Sequence, residues 1–529
     1  MGTTEMSTAP EKKSTLVRSV GFVSGATAIS RLFGLVREQV MAYYFGAGVA
    51  TDAFVAAFRI PNLLRDMFAE GALSSAFVPV FKQKLVKGTK EEAFELANIV
   101  LTGMLLVVGF IVLIGLIFAP LIVYLTAYGF VSDPVKFELT SDMTRIMMVF
   151  LLIVSISALV MGMLNSFNRF TIPALSPAFF NLGTIISVVT MYTIFDQPAY
   201  TLAIGVVVGG ILQLAVQLPL LHRIGYRFRF NFNIFHDGMK KIMKLFTPMI
   251  IGLSAGRINI LVSTLWASFL AEGAMSYLNY SFRLMHFPLG VFAVALGTVA
   301  LPKVSELAAN GDTDNLNKTF YQAINLNFFI VIPAAVFLAL LSQDISNLTY
   351  QWGAFSELDA QNTALALRHY SYGLIGFAAV RVIVPFYYAF NDAKLPMRIS
   401  ILTVVINILL YFPFVKMLGF AGLAAATSIA GIVNAVALYT FLPTKGIDTQ
   451  SARVLLNLFR ICVAAVLAVY LAKLIPIGSV ISDVTILNRV ISMSLIFTVA
   501  SVAYLLLCII FQVHEAKRFV AVVFGRLFK

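Results

Sequence analysis

The chain has 529 residues, 60% hydrophobic and only 12% charged, with a formal net charge of +13. A charged fraction so far below the roughly one quarter typical of soluble domains identifies an integral membrane protein and excludes a soluble enzyme. No polar stretch approaches the roughly 50 residues a small soluble domain needs, so the positive charge belongs to loops and calls for no nucleic-acid-binding domain.

In chain order, Met1 to Ser19 is polar, carries Lys12, Lys13 and Arg18, and lacks a compact apolar region followed by a small-residue cleavage site; it is expected to be a retained cytoplasmic tail. Apolar spans follow near 16–45, 52–81, 94–126, 139–166, 172–195, 200–222, 242–271, 275–302, 318–341, 361–390, 396–417, 419–442, 453–475 and 487–512. That is about fourteen segments long enough to cross a bilayer, several of them longer than the ~20 residues of an upright helix and so tilted or extended. Basic residues such as Lys82, Lys84, Arg169, Arg223, Lys240, Lys303, Lys394, Lys445 and Lys517 fall in loops on one side, whereas Lys136 and Arg489 are among the few on the other. The positive-inside rule then puts both termini in the cytoplasm.

An internal repeat runs through the spans. Ser30-Arg31, Phe45-Gly46-Ala47-Gly48, Phe58-Arg59-Ile60 and Pro79 recur as Gly256-Arg257, Leu270-Ala271-Glu272-Gly273, Phe282-Arg283-Leu284 and Pro302, at a spacing near 225 residues. With six spans between copies, both copies start on the same side and form parallel repeats. The expected fold class is an all-α integral membrane protein of about fourteen transmembrane helices, with two parallel six-helix lobes around a central cavity and two extra C-terminal helices. The corresponding boundaries are a tail at 1–15, lobes at 16–222 and 242–442, a cytoplasmic interfacial segment at 223–241, the added pair at 453–512 and a basic tail at 513–529. Within 223–241, Tyr226 to Asn233 alternates aromatic and polar residues, so an extended form puts its rings on one face at headgroup depth. Cys462 and Cys508 lie inside spans, where they read as packing residues.

The chemistry is concentrated in the first two spans, which carry Arg31, Arg37, Glu38, Asp52, Arg59, Arg65, Asp66 and Glu70. Charges at bilayer depth are costly and mark pathways lined by protein and water. Asp52, Arg59 and Asp66 recur every seven residues and so share one helix face, with Pro61 expected to bend the helix between them. The arginine excess suits an anionic cargo, because a guanidinium fork donates two parallel hydrogen bonds to a phosphate. The repeat places Arg31 with Arg257 and Arg59 with Arg283 in equivalent positions. The competing reading pairs each arginine with Asp52, Asp66, Glu38 or Glu70 as helix-locking salt bridges, although Arg257, Arg283 and Arg381 have no acidic partner in their own spans. His286, one turn after Arg283, is a candidate for proton-linked behaviour or for a simple structural hydrogen bond. Asp52 and Glu70 are candidates for gating. There is no metal-ligand cluster, no G-x-x-x-x-G-K-[ST] loop and no hydrolase spacing, so the expectation is a non-enzyme with no cofactor, driven by the membrane potential, with a monovalent cation left open as a coupling ion.

Three stretches carry a family resemblance: Ser30-Arg31-Leu32-Phe33-Gly34-Leu35-Val36-Arg37-Glu38; Phe45-Gly46-Ala47-Gly48 with Ala50-Thr51-Asp52-Ala53-Phe54; and Pro61-Asn62-Leu63-Leu64-Arg65 with Phe68-Ala69-Glu70-Gly71-Ala72. Together with Asn165 to Phe170 and Leu296-Gly297-Thr298, they closely resemble the MurJ/MviN lipid II flippases of the multidrug/oligosaccharidyl-lipid/polysaccharide exporter superfamily. The resemblance implies a bacterial inner-membrane protein that moves the undecaprenyl-linked peptidoglycan precursor outward by alternating access, among membrane lipids and alongside cell-wall synthesis and division proteins. It implies a cavity lined by Arg31, Arg37, Asp52, Arg65 and Arg283, with Glu38 and Arg59 fitting its charged lining, and a lipid-tail groove formed by the last two spans. Some relatives carry a basic residue where Asp66 stands and acidic residues where Phe282 and His286 stand, so no ion-pair partner carries over to His286. A cation-coupled multidrug exporter and a polysaccharide-repeat flippase of the same superfamily are the alternatives, followed by a non-transporting cell-wall scaffold.

Overall fold

The computed structural model describes residues 10–67, 72–290, 294–474 and 485–527, and among these the chain is helical with no strand. They divide by packing into two compact units, between Glu272 and Gly273.

The first unit contains α1 (Pro10–Phe45), α2 (Val49–Arg65), α3 (Ala72–Lys87), α4 (Lys90–Ile117), α5 (Ala119–Thr126), α6 (Pro134–Ser166), α7 (Thr171–Met191), α8 (Tyr200–Ala215), α9 (Leu218–Arg223) and α10 (Asp237–Ser268). The second contains α11 (Ala274–Pro288), α12 (Val294–Ala309), α13 (Thr313–Leu340), α14 (Ser342–Tyr350), α15 (Glu357–Ala389), α16 (Lys394–Leu418), α17 (Phe420–Phe441), α18 (Ser451–Lys473), α19 (Ile486–Ile510) and α20 (His514–Leu527). The repeat seen in a few residues extends through whole elements. The helices α4 and α13 are both 28 residues long, α6 and α15 both 33, and a short helix lies between the members of each pair.

Ten helices among the described residues are long and apolar enough to cross a membrane. The helices α2, α3, α11 and α12, of 15 to 17 residues, are each too short to count among them. The span expected at 52–81 is two helices: α2 continues through Pro61, and a π-type turn at Asp66 and Met67 follows its end. Pro61 therefore lies inside α2, and the copy at 275–302 likewise has a π-type turn, at Leu289 and Gly290, after α11.

Helix starts are set by side chains that accept orphan backbone donors. Thr89 caps α4, Asp133 caps α6, Asp312 caps α13 and Thr485 caps α19. In the first unit Phe77, Phe81, Leu96, Val100, Met163 and Leu164 form the core between α3, α4 and α6. In the second, Phe320, Ile324, Val382, Phe386 and Tyr387 join α13 to α15. Small residues allow the closest crossings, as expected where lipid is as apolar as leucine. A Cβ on Gly183 of α7 would stand 2.8 Å from the Gly209 Cα of α8, and one on Gly376 of α15 would stand 2.6 Å from the Gly431 carbonyl oxygen of α17. Outward faces carry Leu106, Phe110, Leu113 and Ile117 on α4 and Leu402, Leu409 and Phe412 on α16, all exposed.

The helix expected to open the second lobe, α10, packs within the first unit against α3. Packing therefore divides the chain after α10, whereas the sequence repeat begins again before it. That placement brings Arg257 into the charged region of the first two helices.

Candidate functional site

The candidate charged residues of the first unit fall into three local groups. On α1, Arg37 donates from Nη2 to Glu38 Oε1 at 2.6 Å, and its guanidinium lies 5.6 Å from the Phe180 ring centroid on α7. Glu38 is buried. Asn181 Nδ2 on α7 also donates to the Ser30 carbonyl at 3.3 Å, so α7 orients the α1 turns that carry the arginines. Arg31 itself is exposed.

The second group lies at the start of α2. The Thr51 hydroxyl donates to the Gly46 carbonyl at 2.9 Å, and the Val49 amide donates to Glu272 Oε1 at 3.2 Å, which fixes the turn from α1. Asp52, in the first turn of α2, receives Lys136 Nζ at 2.8 Å from α6. Both residues are buried, and the ammonium also lies 4.2 Å from the Phe130 ring centroid. Lys136 is a residue that sequence reasoning passed over as one cation of an outer loop. Its place in the sequence, 84 residues after Asp52, carries no local signal of the pairing.

The third group lies just beyond the end of α2. Asp66 accepts from Arg65 Nη2 through Oδ1 at 3.1 Å and from Arg257 Nη2 through Oδ2 at 2.8 Å. One carboxylate thus holds two guanidinium groups, with side chains 14 to 33% exposed. Arg257 has no acidic partner in its own helix, as the sequence indicated, but it gains one from the turn after α2. The salt-bridge reading therefore holds for Arg37, Arg65 and Arg257. Even so, Asp66 offsets only one of the two charges it touches. Arg59 is partly buried on α2. Glu70 lies outside the described residues.

In the second unit Arg283 is partly buried on α11. His286 is exposed, its Nδ1 lies 3.1 Å from the Phe282 carbonyl oxygen of its own helix, and its ring centroid is 3.9 Å from that of Phe282. This is a contact within a single helix, one of the two roles weighed for the residue. Deeper in the same unit, Tyr277 Oη donates to Asp359 Oδ1 at 2.9 Å, an α11–α15 bond that sequence reasoning did not anticipate.

Loop chemistry frames these groups. The Arg229 and Asn231 amides donate to Asn98 Oδ1 and Thr102 Oγ1 of α4. This holds the chain so that the Phe228 and Phe230 centroids are 4.8 Å apart and the Phe230 and Phe232 rings stack at 6.2 Å, with all three rings exposed. Tyr226 at its head donates to Asn98 Oδ1 at 2.8 Å, and burial raises its phenol pKa well above the usual value. Between α15 and α16, the Lys445 ammonium 2.7 Å from Asp392, together with the backbone amides of Leu395 and Lys394, holds the Asp392 carboxyl below the usual carboxylate range. Among the described residues no group of three or more His, Cys, Asp or Glu side chains is placed to hold a metal.

The arrangement provides one buried charge pair at the start of α2 and a partly exposed arginine–carboxylate cluster at its end. Anion capture by arginine forks is chemistry this cluster can perform, and nothing in it supplies a nucleophile with a base. Comparison with known proteins leads to the same place. The family model described as lipid II flippase MurJ matches residues 41–507. A lipid II flippase MurJ of Burkholderia cenocepacia is 33% identical over 443 residues, covering 82% of this chain and 85% of that one. A probable lipid II flippase MurJ of Vibrio cholerae is 35% identical, covering 82% and 84%. A solved lipid II flippase MurJ in an inward closed conformation superposes with a TM-score of 0.75 at 26% identity over 96% of this chain and 99% of that chain. An inward-facing multidrug transporter of the MATE family, at 14% identity and a TM-score of 0.63 over 79% and 94%, shares the fold. With its charged groups, its helical repeat and a family match running from the end of α1 into α19, the chain belongs to the MurJ lipid II flippase family.

Proposed function

We propose that this chain carries lipid II, the undecaprenyl-pyrophosphate-linked saccharide-peptide, from the cytoplasmic to the outer leaflet of a bacterial inner membrane for cell-wall synthesis. Both termini are cytoplasmic in this reading, supported by the one-sided distribution of basic loops. The family match is the observation that carries it, and the Arg65–Asp66–Arg257 cluster supplies chemistry suited to the cargo. Each guanidinium has five N–H donors in a geometry that fits phosphate oxygens.

Arg31, Arg37, Glu38, Asp52, Arg59 and Arg283 act in the same alternating-access cycle, in which an aqueous path takes the headgroup while the polyprenyl tail stays in lipid. The chain is a transporter and catalyses no covalent step. An inside-negative potential favours outward movement of an anion by about 2.3 kcal/mol per net charge per 100 mV, enough to bias the cycle without a cofactor. Arginine forks suit an anionic headgroup better than a cationic drug, which favours the lipid II reading over the multidrug exporter that shares the fold.

The test is depletion of the protein in cells followed by measurement of lipid II in each leaflet. Accumulation on the cytoplasmic leaflet, reversed by the parental chain, is the expected result. Unchanged leaflet distribution refutes the transport reading and leaves the scaffold alternative. In proteoliposomes of the parental protein, collapsing the potential stops export if the field drives it. Unchanged export removes direct potential coupling.

A further inference from the structure

The repeat places different chemistry at the same two helical positions. Asp52 is the fourth residue of α2 and Lys136 the third of α6; Tyr277 is the fourth residue of α11 and Asp359 the third of α15. Each pair is joined and buried: Lys136 Nζ to Asp52 Oδ2 at 2.8 Å, and Tyr277 Oη to Asp359 Oδ1 at 2.9 Å. The caps beneath them also correspond. Asp133 Oδ1 accepts from the Lys136 amide at 3.1 Å, and Ser356 Oγ accepts from the Asp359 amide at 3.1 Å.

The two copies differ in how well the residue suits its helix. Asp359 completes a capping box, its Oδ2 accepting from the Ser356 amide at 2.9 Å, and its negative charge faces the N–H end of α15. Lys136 places a positive charge at the N–H end of α6, where the helix dipole opposes it, and does so in a buried setting where a long cationic chain is costly. Helix formation therefore gives no reason for a lysine here. The Asp52 carboxylate and the Phe130 ring, which flank its ammonium, do. A local preference obeyed in one copy and broken in the other is expected where function overrides folding.

We propose that Lys136 is a positioning residue for Asp52 in transport: it holds that carboxylate in one orientation against α6, as the charged form of a tie that the second repeat makes with a neutral donor. The inference rests on the lipid II transport reading. An ion pair of this kind is strong while water is excluded and weak once water enters. The α2–α6 tie can therefore release when its surroundings become wet. In the α11–α15 tie the same carboxylate is also bonded to the cap of its own helix, so that contact is held without a charge pair.

The experiment compares Lys136→Arg, Lys136→Met and the neutral pair Asp52→Asn with Lys136→Met, each purified at full length, for thermal unfolding and for lipid II flipping per folded molecule in proteoliposomes. A ladder of parental protein in the same vesicles reports separately whether the chain flips lipid II at all; its failure would sink the transport reading rather than the tie. Expected are flipping by Lys136→Arg within about threefold of the parent, a loss of tenfold or more in Lys136→Met, and a neutral pair that regains the unfolding midpoint yet flips no better than Lys136→Met. Should Lys136→Met fail to fold, the neutral pair and Lys136→Arg decide the matter. Parental flipping by Lys136→Met or by the neutral pair overturns the proposal. So does a Lys136→Arg variant that folds normally and is as inactive as Lys136→Met.

Discussion

Replacing Arg257 by alanine isolates the charge of the cluster around Asp66. The substitution leaves Arg65 paired with Asp66 and removes one positive charge from the group. The pair it removes is about one-third exposed on the arginine side, so its contribution to stability is screened and amounts to ~0.2–1 kcal/mol. Loss of one charge-assisted contact to a phosphate costs about 1.5–3 kcal/mol, which is roughly a tenfold to hundredfold weaker capture of the headgroup. The assay is initial flipping rate against lipid II content in proteoliposomes, with the unfolding midpoint measured in parallel. The reasoning requires a rate that falls at low lipid II and recovers partly as content rises, with little change in midpoint. Arg257→Lys should fall between the parent and Arg257→Ala, since it keeps the charge and loses the fork. A parental rate in Arg257→Ala at every lipid II content would refute the assignment of this cluster to anion capture, and a large drop in midpoint would show that the bridge is mainly structural.

Lys445→Met should destabilise the chain near neutral pH by removing the group that holds Asp392 ionised. Because the folded pKa of Asp392 lies below its unfolded value, the stabilisation is present above about pH 4 and is lost as pH falls through the folded pKa. Parent and variant unfolding midpoints should therefore converge on acidification, and a gap that persists at low pH would refute the linkage. Gly209→Ala drives a Cβ to 2.5 Å from the Phe180 carbonyl oxygen, a clash with backbone, and should cost about 1–3 kcal/mol of stability, read as a lower midpoint. An unchanged midpoint would show that α7 and α8 separate freely.

Membrane residence, the helical repeat and the arginines crowding the first two spans were all legible in the residues alone. These follow from properties that need no partner: hydropathy over about twenty residues, motif register, and the cost of charge at depth. Arg31, Arg37 and Asp52 were legible as functional candidates for that reason. The π-type turn after Arg65 was not, because the local signal in that stretch is Pro61, which α2 incorporates. Which charges meet became visible in the packing of the helices. Asp66 lies 191 residues from Arg257 and Asp52 lies 84 from Lys136, and the pairings depend on where α10 and α6 pack rather than on anything within either helix. The Tyr277–Asp359 bond belongs to the same class. A one-dimensional pattern records which residues share a helix face, whereas an ion pair between helices is set by their crossing and axial register, and in α10 that packing departs from the repeat that announced it.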